Sequence, residues 1–256
     1  MRIAPLKLLC VLSLLLISNA MAGRLKDKQV RHDLLVRSDT AGTVFREIMD
    51  APDQGLPQSL LNRASCVAVF PSVKKGGFAF GGQWGRGVVS CRQETQGWGP
   101  PVFVTIGGGS FGFQIGFQSV DLVLLIMNRS GLNSLLSSKI EIGADAGATA
   151  GMVGRNAAIS TDGFLGARIL SYSRSRGLFA GVELKGSMIK ADDNANRVIY
   201  GDRHLHDILA SSRIRGATEV MSFPRSLNEA SIERMVDVKM PMTLSAKRRR
   251  RFPSAN

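Results

Sequence analysis

The sequence predicts an α+β fold, mainly antiparallel β: a curved sheet or barrel-like β body of about eight short strands with N-terminal helices packed against it. Three observations predict it. Phe111, Phe113, Ile115 and Phe117 alternate with Gly112, Gln114, Gly116 and Gln118, the period-two pattern of a strand. The 28 glycines suit tight turns and close backbone approach, whereas regular helices disfavour them. Finally, Val30, Leu34, Leu35, Ala41, Phe45, Ile48 and Met49 recur at three- and four-residue spacing, which places them on one helical stripe.

The chain reads as three parts. Residues 1–22 have the form of a cleavable signal peptide: Arg2 and Lys7 precede the apolar run Leu8–Ile17, and Ala20-Met21-Ala22 supplies an A-x-A cleavage site. The run is too short for a bilayer-spanning helix, which needs about 20 apolar residues. Cys10 lies inside the run and not after it, which argues against a lipoprotein signal. Residues 23–212 read as the domain itself, and residues 213–256 as a basic, loosely ordered tail.

Within the domain, Lys26–Asp50 is expected to be helical, broken in two by Ser38-Asp39-Thr40, and Pro57–Ala64 to form a short helix with Pro57 in its first turn. Cys66–Phe70 reads as a strand stopped by Pro71. Gly77–Gly82 and Gly87–Arg92 follow as two strands around Gln83–Arg86, then Val102–Ile106 and Phe111–Gln118. Leu122–Met127 is continuously apolar and suits a strand buried on both faces. Leu132–Ser137 suits a short helix. Ile140–Gly151 alternates alanine with glycine, and Phe164–Ser173 and Leu178–Gly186 pair as a hairpin around Arg174–Gly177. Asp192–Tyr200 is a loop or short helix, and Ser231–Val238 one short helix in the tail.

The net charge of +13 is uneven. From Arg213 onward there are ten basic and four acidic residues, against 21 and 16 in the body from Gly23 to Ser212. A basic exported protein meets anionic lipid or polysaccharide before it meets nucleic acid. Cys66 and Cys91 survive cleavage. They form either a disulfide, allowed in an oxidising compartment, or two buried thiols; two apolar segments separated by a third would not face each other in simple hairpins.

Enzymatic patterns are weak. Gly108-Gly109-Ser110-Phe111-Gly112 matches the G-x-S-x-G string, but a nucleophile elbow needs a helix after the serine and here a strand follows. A serine hydrolase using Ser110 would have only His204 or His206 downstream. Those two histidines offer no metal site without further ligands. Asp192-Asp193-Asn194-Ala195-Asn196 starts like a calcium loop but has Arg197 and Arg203 where glycine and glutamate are needed. It reads as a turn with a helix cap. No metal and no cofactor are expected. The candidate binding groups are cationic, Lys74, Lys75, Arg86 and Arg92, with Trp84 and Trp98 as interfacial aromatics.

At these hairpins the sequence resembles the SYLF domain family. The resemblance rests on Ala64-x-Cys66-Val67-Ala68-Val69-Phe70-Pro71, Lys75-x-Gly77-Phe78, Gly81-Gly82-x-x-Gly85-x-Gly87-Val88, Trp98-x-x-Pro101, Gly109-Ser110-x-Gly112-x-Gln114-x-Gly116 and Asp121-x-Val123. It continues in Gly143-x-Asp145, Tyr172-Ser173-x-Ser175-x-Gly177-Leu178-Phe179-Ala180-Gly181-Val182-x-Leu184-x-Gly186 and Asn196-x-x-x-Tyr200-Gly201. It spans roughly residues 41–212. It implies membrane-lipid binding (phosphoinositides in eukaryotic members), actin binding in some fungal ones, and no catalytic residues. Cys66 departs from the small residue usual there. No counterpart of the eukaryotic SH3 partner domain is recognised, so the adaptor and actin roles are not expected to transfer.

The expectation is therefore an exported envelope protein, in the periplasm or at the outer-membrane periphery, that binds anionic phospholipid without catalysis. The alternative is a structural envelope protein that binds a protein or polysaccharide partner through its basic face and tail.

Overall fold

The computed structural model describes residues 4–51, 55–78, 80–93, 97–111, 116–128, 139–142, 149–150, 169–177, 187–211, 214 and 217–239. It is an α+β structure, as expected. Helix α1 (Ala4–Met49) and the short α2 (Gln58–Arg63) precede β1 (Cys66–Phe78), β2 (Phe80–Cys91), β3 (Val102–Phe111), β4 (Gly116–Ile126), β5 (Lys139–Ile142), β6 (Thr149–Ala150), β7 (Ile169–Gly177) and β8 (Ser187–Ala191). Helices α3 (Asp193–Tyr200) and α4 (Leu205–Ala210), a 3-10 turn (Ala217–Val220) and α5 (Ser222–Lys239) complete it. The eight strands form one sheet in the order β5-β8-β3-β2-β1-β4-β7-β6. Every pairing is antiparallel except β6 with β7. Among the described residues β5 and β6 are its two edges, so of the two expected forms the open curved sheet is the one built. No helix among the described residues is long and apolar enough to cross a membrane, which says nothing of strands.

Helix α1 is one continuous element, not two. Ser38 is fully buried, but its hydroxyl donates to the Val220 carbonyl at 2.6 Å and accepts the Phe223 N–H at 3.3 Å. Thr40 donates back to the Val36 carbonyl at 2.7 Å. Polar groups that would otherwise compete with the helix backbone are thus satisfied without breaking it.

The long central hairpin also differs from expectation. Pro71 does not stop β1: it sits at a β-bulge, where a missing N–H leaves no gap in the ladder. Gln83–Arg86 is not a turn but the middle of β2, hydrogen-bonded to β1 on one side and β3 on the other. Glycine is required at Gly87, where a Cβ would lie 2.5 Å from both the Phe70 ring and the Val69 carbonyl. Here it marks close strand packing and not a turn. Arg174–Gly177 likewise belongs to β7 and pairs with β4. The period-two run is divided: Phe111 ends β3 and Gly116 opens β4.

The inner ends of β1, β2, β3, β4 and β7 are covered on both faces. Val67, Val69, Val88, Val89, Phe103 and Leu122–Ile126 are all buried, which bears out the doubly buried reading for 122–126; Met127 follows the strand and is half-buried. Helix α1 lies against this end of the sheet and against α5. The expected Leu132–Ser137 helix, the Leu178–Gly186 strand and most of Ile140–Gly151 fall outside the described residues.

The tail boundary at 213 needs correction. Ile214, Ala217, Val220, Phe223 and Leu227 are buried members of the core, and the Phe223 ring meets Phe45 of α1 edge-on at 6.4 Å. The irregular apolar spacing hid a 3-10 turn followed by a helix, which together form the other half of the α1 packing. Helix α5 runs to Lys239, and residues 240–256 lie outside the described residues.

Candidate functional site

The site lies where the sheet extends beyond its helical cover. Lys74, Trp84 and Ser119 stand side by side across β2, β1 and β4, and the next row on the same face is Gly82, Gly76 and Phe117. Directly opposed residues share a face and successive residues alternate, so Trp84 and Phe117 rise from the two strands flanking β1. Gly76 and Gly82 form the floor between them. Trp84 is 62% and Phe117 72% exposed. An open depression of about 420 Å³ is lined here by Lys74, Gly76, Gly82, Gln83, Trp84 and Phe117. The Lys74 ammonium donates to Ser119 Oγ at 3.3 Å. Arg86, two residues beyond Trp84 on β2, is exposed on that same face.

The sequence-predicted residues therefore divide. Lys74, Arg86 and Trp84 are brought together at the exposed tip. Lys75 faces the opposite way, between Gln83 and Gln118, which are both buried. Phe117 completes the site and was missed as a site residue. It stood in the alternating run as one of the apolar residues of a strand face, and nothing local showed that its face would be left uncovered.

Arg92 and Trp98 are not part of this surface. The Arg92 guanidinium donates to the carbonyls of Ala64 at 3.2 Å and Leu61 at 3.1 Å and lies 4.5 Å from the Trp98 ring centroid. Burial lowers its pKa from the ordinary arginine value. Trp98 is only 3% exposed, and its indole N–H donates to Ser231 Oγ at 3.2 Å. The pair joins α2 and the β2 end to α5. A cation and an aromatic near a hairpin look alike in sequence whether they face solvent or a helix.

Cys66 and Cys91 form a disulfide. They are cross-strand partners in β1 and β2, with Cα atoms 4.0 Å apart. The intervening strand that seemed to separate them does not exist, because residues 66–91 make a single long hairpin.

The remaining chemical patterns come apart. The Ser110 backbone pairs with Gly81 inside β3, so the strand-to-helix elbow is not built there. His204 is the N-cap position of α4 without a side-chain cap bond, and His206 is exposed beside Asp207 at 3.6 Å. Among the described residues no three His, Cys, Asp or Glu side chains group as a metal site. Asp192 caps α3 by accepting the Ala195 N–H at 3.2 Å, and it also pairs with Arg37 of α1 at 3.0 Å.

The class of protein is thus an α+β domain: a glycine-rich, mainly antiparallel sheet with α1 packed against it, α5 packed on α1, and an exposed aromatic and cationic tip. Comparison with known proteins gives the family. Residues 107–230 match the Ysc84 family, described as "Las17-binding protein actin regulator". The match ends within α5, and so includes the Val220–Leu227 segment that packs on α1. The chain is 33% identical over 166 residues to LAS seventeen-binding protein 3 of Saccharomyces cerevisiae, covering 64% of this chain and 36% of that protein. It is 34% identical over 168 residues to an SH3 domain-containing protein of Schizosaccharomyces pombe, 62% and 39% of the two chains. With human SH3 domain-containing YSC84-like protein 1 it shares 30% identity over 184 residues, 69% and 54%. The chain belongs, through this domain, to the Ysc84 (SYLF) family, and it spans between about a third and a half of the length of these relatives.

Proposed function

We propose that this protein binds anionic membrane lipid, without catalysis, through the exposed tip of its central hairpin. The observation that carries the reading is the juxtaposition of Trp84 and Phe117, both largely exposed, with Lys74 and Arg86 on one face. Two large aromatics left in water on a rigid sheet are costly unless something covers them. Trp suits the membrane–water interface, and each Lys or Arg near an anionic surface adds about 1 kcal/mol. The glycine floor leaves room for a phosphate or glycerol group between the aromatic walls.

The same reading puts the protein in the cell envelope. The leader-like residues 1–22 support export, and a structural disulfide between Cys66 and Cys91 belongs in an oxidising compartment. Actin, which the family's description names, is not the proposed partner there.

The test is co-sedimentation of the disulfide-intact protein with phosphatidylglycerol vesicles at low and high salt. Binding should weaken with salt, and Trp84→Ala together with Phe117→Ala should reduce it roughly tenfold or more while leaving the thermal midpoint nearly unchanged, because both side chains are exposed. Unaltered vesicle binding in the folded double variant rejects the site. Binding to actin filaments but not to vesicles would favour the protein-partner reading.

A further inference from the structure

Strand β1 carries one more residue than either neighbour at Pro71-Ser72. Val69 pairs with Val88 and Lys74 with Trp84; on the other side Phe70 pairs with Leu122 and Val73 with Val120. An unbulged strand continuing from Val69 would set Val73 opposite Trp84 and Lys74 opposite Gln83. An extra residue shifts the alternation by one and exchanges the faces. With the bulge, Val73 stays buried, Lys74 joins the aromatic face, and Lys75 turns to the face of Gln83 and Gln118.

The bulge has a specific holder. Ser72 has φ 55°, a left-handed conformation that non-glycine residues seldom adopt. Its N–H donates to Asp121 Oδ1 at 2.9 Å. Asp121 is only 2% exposed, and its other oxygen accepts Arg174 Nη2 at 3.0 Å. Arg174 also pairs with Glu47 of α1. The backbone of β1 is thereby held from β4, β7 and the long helix at the point where the two lysines are assigned to their faces.

We infer that Asp121 is a positioning residue: by accepting the Ser72 N–H it decides that Lys74, and not Lys75, is presented to the ligand between Trp84 and Phe117. What Lys74 meets there, a lipid phosphate, rests on the reading proposed above. Which lysine is presented does not.

The experiment has two arms. In the first, the lipid-free, disulfide-intact protein is treated with an amine-acylating reagent, and modification at Lys74 and Lys75 is separated by fragment mass spectrometry. Lys74 should be modified faster. Asp121→Leu should bring the Lys74:Lys75 ratio to unity or below. Asp121→Asn, whose amide oxygen can still accept the Ser72 N–H, should keep the ratio above unity and keep the Ser72 amide slow in hydrogen exchange. A folded Asp121→Leu with the wild-type ratio overturns the inference. If that variant does not fold, a folded Asp121→Asn that loses either property overturns it instead. In the second arm, phosphatidylglycerol vesicles are the probe: Lys74→Gln should weaken co-sedimentation and Lys75→Gln should not. If no variant or wild type binds vesicles while the labelling behaves as stated, the lipid reading fails and the positioning role stands.

Discussion

The guanidinium of Arg92 lies 4.5 Å from the centre of the Trp98 ring, on the side of the fold away from the exposed tip, and ties the end of β2 to α2 through two backbone carbonyls. A stacked, doubly hydrogen-bonded arginine is not replaceable by lysine. Arg92→Lys should therefore lower stability by about 1–3 kcal/mol, since buried carbonyls lose charge-assisted donors. Trp98→Ala should cost more, about 3–5 kcal/mol. Denaturant unfolding measures both. Vesicle binding by the folded fraction should be unchanged, and a binding defect with normal stability would return the pair to the ligand surface.

The disulfide joins the open end of the long hairpin across 25 residues of sequence. Replacing both cysteines by alanine removes a constraint on the unfolded chain of about 2–4 kcal/mol. The urea midpoint of the double variant should fall accordingly, and reducing the wild type before unfolding should reproduce most of that fall. Equal midpoints with and without reductant would mean that the bond is not formed in the protein as expressed.

The core positions contributed by the 3-10 turn and α5 predict how truncations behave. Removing residues 240–256 leaves the buried positions of α5 in place and should leave the thermal midpoint close to that of the full chain. Removing residues 213–256 strips Val220, Phe223 and Leu227 from the core and exposes the helix face they cover. Burying such side chains is worth about 1.5–3 kcal/mol each, comparable in sum with a domain's whole stability, so this truncation should be unfolded or aggregated by circular dichroism. Loss of partner binding in it would therefore say nothing about a tail.

The chain has two tyrosines, and both are buried. Burial pushes the Tyr172 hydroxyl up from 10.0 to about 12, and pushes Tyr200, which donates to the Pro101 carbonyl, up as well. A raised folded-state value means that the neutral phenol is favoured by folding. This contribution is fully present below pH 10 and is lost as pH rises from 10 towards 12. Ultraviolet titration of the native protein should show little tyrosinate at pH 10 and a steep rise where the protein unfolds. Tyr172→Phe should weaken the alkaline dependence of stability. Free titration of both hydroxyls near pH 10 in folded protein would contradict their burial.

What the sequence by itself determined was the class of fold, the existence of most strands, the N-terminal helix stripe and the family. These are written in local patterns: Leu122–Ile126 is apolar throughout because both its faces are covered, and Val30 through Met49 recur at helical spacing because one face packs. The sequence also located the hairpin that carries the candidate site. It did not determine faces or partners. Only the tertiary structure decided that Lys74 and Arg86 look outward while Arg92 stacks on a buried Trp98, because exposure depends on which element covers a strand and not on the strand itself. Only the pairing of β1 with β2 brought Cys66 opposite Cys91. Only α1 gave Phe223 and Leu227 something to pack on, so that an irregular basic segment became a core helix. The bulge at Ser72 is the sharpest case. One extra residue, held by a carboxylate 49 positions away, exchanges the faces of two adjacent lysines, and no periodicity within β1 can register that.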